Sequence, residues 1–97
     1  MSPLKRKKLS KIRLELDKLD NLLLKIIKKR TNLVEQVLAV KDKKNQIIDQ
    51  KRIKFILKNI KKKSLKNKID PKITHRIWKN MIYAYIEFEK KNFKKKH

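Results

Sequence analysis

The sequence holds no glycine and no cysteine in 97 residues, and only two prolines and two histidines. The missing glycine excludes Gly-rich phosphate loops and dinucleotide fingerprints, and with them most tight β-hairpins. The missing cysteine excludes a disulfide framework and any thiolate metal site. His75 and His97 are too few for a histidine-based metal cluster. Ser2, Ser10 and Ser64 stand in lysine-rich surroundings, without the His and acid spacing of a nucleophilic triad. No metal and no cofactor is therefore expected. Long apolar runs are lacking too. None approaches the ~18 residues of a membrane span, and the basic stretch at residues 5–8 has no signal-peptide apolar region behind it. The chain reads as cytoplasmic, with no membrane partner.

Acidic residues are scarce: 9 Asp+Glu stand against 31 Lys+Arg, a net charge of +22. Nucleic-acid binders are this basic. A general drift toward lysine on a solvated surface gives the same total. The lysines are spread through the whole chain and on every face, which weakens the reading of a dedicated patch. The length suits one domain over residues 1–97, with a basic lead-in at 1–8 and a basic tail at 93–97. Three helices of this size bury little core alone, so oligomerisation is expected.

What the sequence does contain is sustained apolar spacing. Ile12, Leu16, Leu19, Leu23, Ile26, Leu33, Val37 and Val40 follow one another in steps that keep a heptad seam, with Arg30 inside the stripe. That is the packing stripe of a long helix. Leu22, Ile27, Val34 and Leu38 widen it, so more than one neighbour packs on it. The helix is expected to start near Ser10, an acceptable N-cap, with an earlier start left open, and to run to about Lys43. Asp49 is a plausible N-cap for a second helix carrying Ile53, Ile56, Leu57 and Ile60 on one face, fading over residues 61–68. Asp70-Pro71 is the clearest punctuation: an N-cap followed by proline at the first helical position. The third helix carries Ile73, Ile77, Trp78, Met81, Ile82, Tyr85, Ile86 and Phe88 and merges into residues 90–96. The expected fold is all-α, with one long, one short and one medium helix per chain. The spacing of Trp78, Tyr85 and Phe88 favours core packing over base stacking.

Two charged residues break these apolar stripes. Arg30 stands where a leucine is expected, either as a snorkelling or internally paired cation or as part of an anion site inside a helical bundle. Lys41 follows eleven residues later, about three turns and roughly 16 Å along the axis. Glu89 shares a face with Tyr85 and Trp78. Arg13 precedes Arg30 by seventeen residues, roughly 25 Å of rise and about 100° of azimuth. Arg13 and Arg30 of one chain therefore cannot grip one small molecule. In an antiparallel pair of such helices, Arg13 of one chain reaches the Arg30–Lys41 stretch of the other, giving two shared sites.

The order Arg13, Leu19-Asp20, Arg30, Lys41, Asp49, Arg52, Glu89 on a long, a short and a capped helix resembles the all-helical chorismate mutase family over about residues 10–92. The resemblance implies an intertwined all-α homodimer that rearranges chorismate to prephenate in aromatic amino-acid biosynthesis. It implies that Arg30, with Arg13 from the other chain, binds the two carboxylates. Lys41 would bind a carboxylate and the ether oxygen. Asp49 and Arg52 would lie where the second helix meets the ring hydroxyl. Glu89 would approach the ether oxygen, with Tyr85 lining the site one turn before it. Two positions depart from the pattern. Many members carry a Glu directly after the Arg of the second helix, where this chain has Ile53, and many carry Gln where it has Glu89. The loss at Ile53 keeps open an isochorismate-pyruvate lyase on the same scaffold. A basic helical nucleic-acid-binding protein is the alternative of a different class, supported by net charge alone. The chemistry needs no nucleophile, metal or base. It needs a dianion held in a compact conformer, with positive charge placed where negative charge develops.

Overall fold

The computed structural model describes residues 1–96 of the chain, and their side chains through residue 93. Three helices run in order: α1 (Pro3–Val40), α2 (Gln50–Lys66) and α3 (Pro71–Lys96), with a single 3₁₀ turn at Lys44–Gln46 between the first two. The described residues form no strand, so the all-α expectation holds. The chain divides into two compact parts, Met1–Leu33 and Val34–His97.

The first part is a length of α1. The helix begins seven residues before Ser10. Ser2 caps it: the Lys5 amide N–H donates to Ser2 Oγ at 3.2 Å and the Arg6 amide N–H to Ser2 O at 2.9 Å. Pro3 takes the first helical position, where its missing N–H would have had no intrahelical partner. Ser2-Pro3 is the same signal as Asp70-Pro71, hidden among basic residues that read as a lead-in. Ser10 sits inside the helix. Along this part the expected seam is uncovered in the single chain, with Ile12, Leu16, Leu19, Leu23 and Leu33 all more than half exposed. An apolar stripe of this length in water is not a stable end state.

The second part holds the core. Leu38, Ile47 and Ile86 are buried, and Ile53, Ile82 and Phe93 pack against them. Helix α1 ends at Val40, three residues short of expectation. The backbone then turns through residues 42–46, held by Gln46, whose side-chain Oε1 accepts from the amide N–H groups of Asp42 (2.8 Å) and Lys43 (2.9 Å). Asp49 caps α2 as expected, its Oδ1 accepting from the Arg52 amide N–H at 3.0 Å. Ile53, Ile56, Leu57 and Ile60 are half-buried, as their spacing implies. Helix α2 runs on to Lys66 through the lysine-rich stretch expected to fray.

Helices α2 and α3 meet at two small polar residues. Ser64 Oγ donates to Ile60 O at 2.6 Å and lies 2.7 Å from Thr74 Oγ1. Thr74 Oγ1 also lies 3.3 Å from Pro71 O, so each hydroxyl has a backbone carbonyl to donate to and the other hydroxyl as partner, and both buried groups are satisfied. On α3, Ile73 and Ile77 do not join the core: they are 57% and 53% exposed. They flank the buried Thr74 on α3, and among the described residues both remain more than half in solvent. Trp78, Tyr85 and Phe88 are half-buried.

The end of α2 shows the consequence of having no glycine. The Ile69 amide N–H donates to Ser64 O (2.8 Å) and that of Lys68 to Leu65 O (3.2 Å), the paired bonds of a Schellman ending. The motif needs a left-handed residue, and Lys68 supplies it at φ 57°. A non-glycine side chain there crowds the following carbonyl. Lys68→Gly is expected to stabilise the fold by roughly 0.5–1 kcal/mol, the strain relieved less the chain entropy that glycine adds. A thermal unfolding midpoint at or below that of the parent protein would contradict this.

Candidate functional site

The ammonium of Lys41 lies 3.4 Å from Glu89 Oε1, and both side chains are shielded, 19% and 9% exposed. This pairing across distant sequence joins two of the expected site residues. Lys41 is the first residue past α1, so the loop and not helical spacing directs its side chain. Its amide N–H still donates to Leu38 O at 3.2 Å, one tight closing turn. The reading of Arg30 and Lys41 as three turns apart on one helix therefore runs one residue too far. Glu89 lies three residues after Ile86 and four before Phe93, on the stripe of α3 that faces the core.

Burial raises the Glu89 carboxyl above its ordinary value. The Lys41 charge and hydrogen bond act the other way but do not cancel it. Desolvation disfavours the carboxylate more than one nearby ammonium favours it. Glu89 therefore keeps its proton to higher pH than an exposed glutamate.

A cleft of about 610 Å³ opens beside this pair, lined by Lys41, Gln46, Asp49 and Lys51 among others. Asp49 uses one oxygen to cap α2. Arg52, Ile53, Tyr85 and Glu89 are not among the residues lining this cleft. The Arg52 guanidinium stacks over the Phe55 ring, 5.3 Å from its centroid. Ile53 packs against the buried core. The residue that replaces a polar group in the family pattern thus has a packing role. Tyr85 meets Phe88 edge-on, with centroids 6.5 Å apart. Arg13 and Arg30 lie on α1 in the first part of the chain, both exposed. A larger cleft of about 650 Å³ lies between α2 and α3, lined by Leu57, Lys58, Lys61, Lys72 and Arg76 among others. It holds none of the expected site residues and no acid. The chemistry is assigned to the smaller cleft because a shielded acid–cation pair adjoins it. Gln46 was missed from sequence, where it stood as one polar residue in a break. No periodicity marks a side chain that bonds to its own loop.

Among the described residues no helix is long and apolar enough to cross a membrane, and no group of three His, Cys, Asp or Glu is placed to hold a metal ion. Fold and site define an all-helical protein with a shielded lysine–glutamate pair beside an open cleft. The chain belongs to the chorismate mutase type II family, whose model matches residues 12–90. No curated protein and no solved structure gives a significant match.

Proposed function

We propose that the protein is a homodimeric chorismate mutase, converting chorismate to prephenate by an intramolecular Claisen rearrangement. The observation that carries this is the shielded Lys41–Glu89 pair in a chain of this family. The reaction breaks the ether C–O bond as a new C–C bond forms, and negative charge gathers on the ether oxygen in the transition state. Lys41 donates to that oxygen and to a substrate carboxylate. Glu89, whose carboxyl is raised above its ordinary value by burial, donates a second hydrogen bond in its protonated form. Arg30, with Arg13 of the partner subunit, holds the carboxylates and keeps the substrate compact. Asp49 and Arg52 sit at the start of α2 toward the ring hydroxyl, and Tyr85 lines the site. In the free protein Lys41 bonds to Glu89. The arriving carboxylate and ether oxygen give it better-placed acceptors.

The uncovered seam on α1 supports the dimer. Its heptad spacing fits a second copy of the same helix, which would cover the leucines and isoleucines left in water and carry Arg13 to the other site. The test is chorismate consumption by purified protein across a salt series. Loss of chorismate to prephenate is expected, with kcat/KM falling as salt rises because the positive field that draws in a dianion is screened, and kcat less affected. No consumption at moderate salt would sink the reading. Salt-independent kcat/KM would show that the surface lysines do not steer substrate.

A second reading rests on Ile53. Its place in the core removes one of the polar groups with which many members hold the substrate hydroxyl. Isochorismate is the hydroxyl isomer that a lyase on this scaffold would cleave, releasing pyruvate. Pyruvate formed from isochorismate faster than prephenate from chorismate would decide for it. The nucleic-acid alternative keeps only the net charge. It would show binding with a steep salt slope that survives Arg30→Ala.

A further inference from the structure

The nine residues from Lys41 to Asp49 join α1 to α2 with only one 3₁₀ turn of regular structure. Lysine is a flexible side chain, so where its ammonium sits depends on how firmly its backbone is held. On the N-terminal side Lys41 is tied to Leu38 through its own amide. On the C-terminal side, the next two amide N–H groups, of Asp42 and Lys43, both donate to Gln46 Oε1. Those two bonds fill both acceptor positions of the side-chain carbonyl. The Gln46 amide N–H donates back to Lys43 O at 3.0 Å. The next residue, Ile47, is 4% exposed in the core and anchors the clamp. The same glutamine lines the cleft with Lys41.

We propose that Gln46 is a positioning residue for Lys41: its side-chain carbonyl clamps the two residues after Lys41, holding the ammonium at Glu89 and at the mouth of the cleft. The activity arm of this inference rests on the mutase reading; the structural arm does not. Without the clamp, residues 42 and 43 keep no side-chain partner, and their amides turn to water. The lysine backbone then moves, and displacement of a reacting group by about 1 Å is enough to lower a rate by up to two orders of magnitude.

The test uses Gln46→Met, which keeps length and removes the acceptor, and Gln46→Glu, whose carboxylate accepts both N–H groups. In Gln46→Met kcat is expected to fall roughly tenfold with a smaller change in KM, while in Gln46→Glu kcat stays within about threefold of the parent protein and KM rises, because the added charge lies at a cleft assigned to a dianion. Independently of activity, the Glu89 carboxyl is titrated by NMR in the parent protein and in Gln46→Met. Lys41 is the charged group that lowers the Glu89 pKa. A displaced ammonium must therefore move that titration to higher pH. Unchanged Glu89 titration in a folded Gln46→Met overturns the proposal even if kcat falls, because the loss then has another cause. If Gln46→Met does not fold, a tenfold loss of kcat in folded Gln46→Glu overturns it, and retention of parental kcat upholds it. If the parent protein does not turn over chorismate, the mutase reading fails and the NMR titration alone decides. Failure to fold of Gln46→Met in that case is replaced by the Glu89 titration in Gln46→Leu, with the same two outcomes.

Discussion

Arg13→Ala and Arg30→Ala homodimers are each expected to lose roughly 10²–10³-fold in kcat/KM, the usual effect of removing one partner from a desolvated charge pair. A mixed dimer carrying one of each is expected to regain a single intact site. That site takes Arg13 from the chain mutated at 30 and Arg30 from the chain mutated at 13. The opposite site lacks both. The argument begins with helix geometry: the two arginines lie roughly 25 Å apart along one helix and point in different directions, so one chain cannot bring both to one substrate. It continues with burial. Both arginines lie on the part of α1 whose apolar seam is uncovered in the single chain. A second copy that covers the seam also brings its arginine. The measurement is the activity of heterodimers purified through two different tags, beside each homodimer. Heterodimers as inactive as the homodimers would refute the shared site.

For Glu89 the expected result is a kcat that falls as pH rises through the glutamate pKa in the substrate complex. Only the protonated carboxyl can donate to the ether oxygen. Burial raises that pKa, with Lys41 opposing, so the active form extends to higher pH than an ordinary glutamate allows. Glu89→Gln donates at every pH and is expected to flatten the profile and keep activity on the alkaline side. Glu89→Ala is expected to lose roughly 10²–10³-fold in kcat throughout, as for removal of one donor to a developing oxyanion. Folding is monitored at each pH for a reason of sign. A raised native pKa means the folded state binds this proton more tightly than the unfolded one, so stability from Glu89 declines as pH rises through the native pKa. The profile is read only where all three proteins stay folded. An alkaline limb shared by the parent protein and Glu89→Gln would remove Glu89 as the titrating donor.

Several features were legible in the residues alone because they depend on neighbours within a turn or two. Asp49 and Asp70-Pro71 mark helix starts through bonds spanning two or three residues. The α1 seam follows from spacing along one helix, and the set from Arg13 to Glu89 placed the chain near the family that its match to residues 12–90 shows. Even at this range the reading slipped where charge masked a signal, as at Ser2-Pro3.

The rest needed the tertiary structure, because it depends on which elements meet. Lys41 and Glu89 are 48 residues apart, and no local pattern couples them. Whether Glu89 gains more from Lys41 than it loses to burial is a balance between charge and desolvation, and only packing sets the desolvation. Ile53 is a lost polar partner in the sequence and a core side chain in the fold. Ile73 and Ile77 carry the same apolar signal as Ile86, yet only Ile86 faces the α1–α2 side of the core, so only Ile86 is buried. Gln46 bonds its own loop through a side chain that no periodicity predicts. Spacing and capping residues determined the helices, and the resemblance carried by the residues from Arg13 to Glu89 pointed to the family. Lys41 and Glu89 became a pair only where packing excluded water and brought the acid and the lysine together.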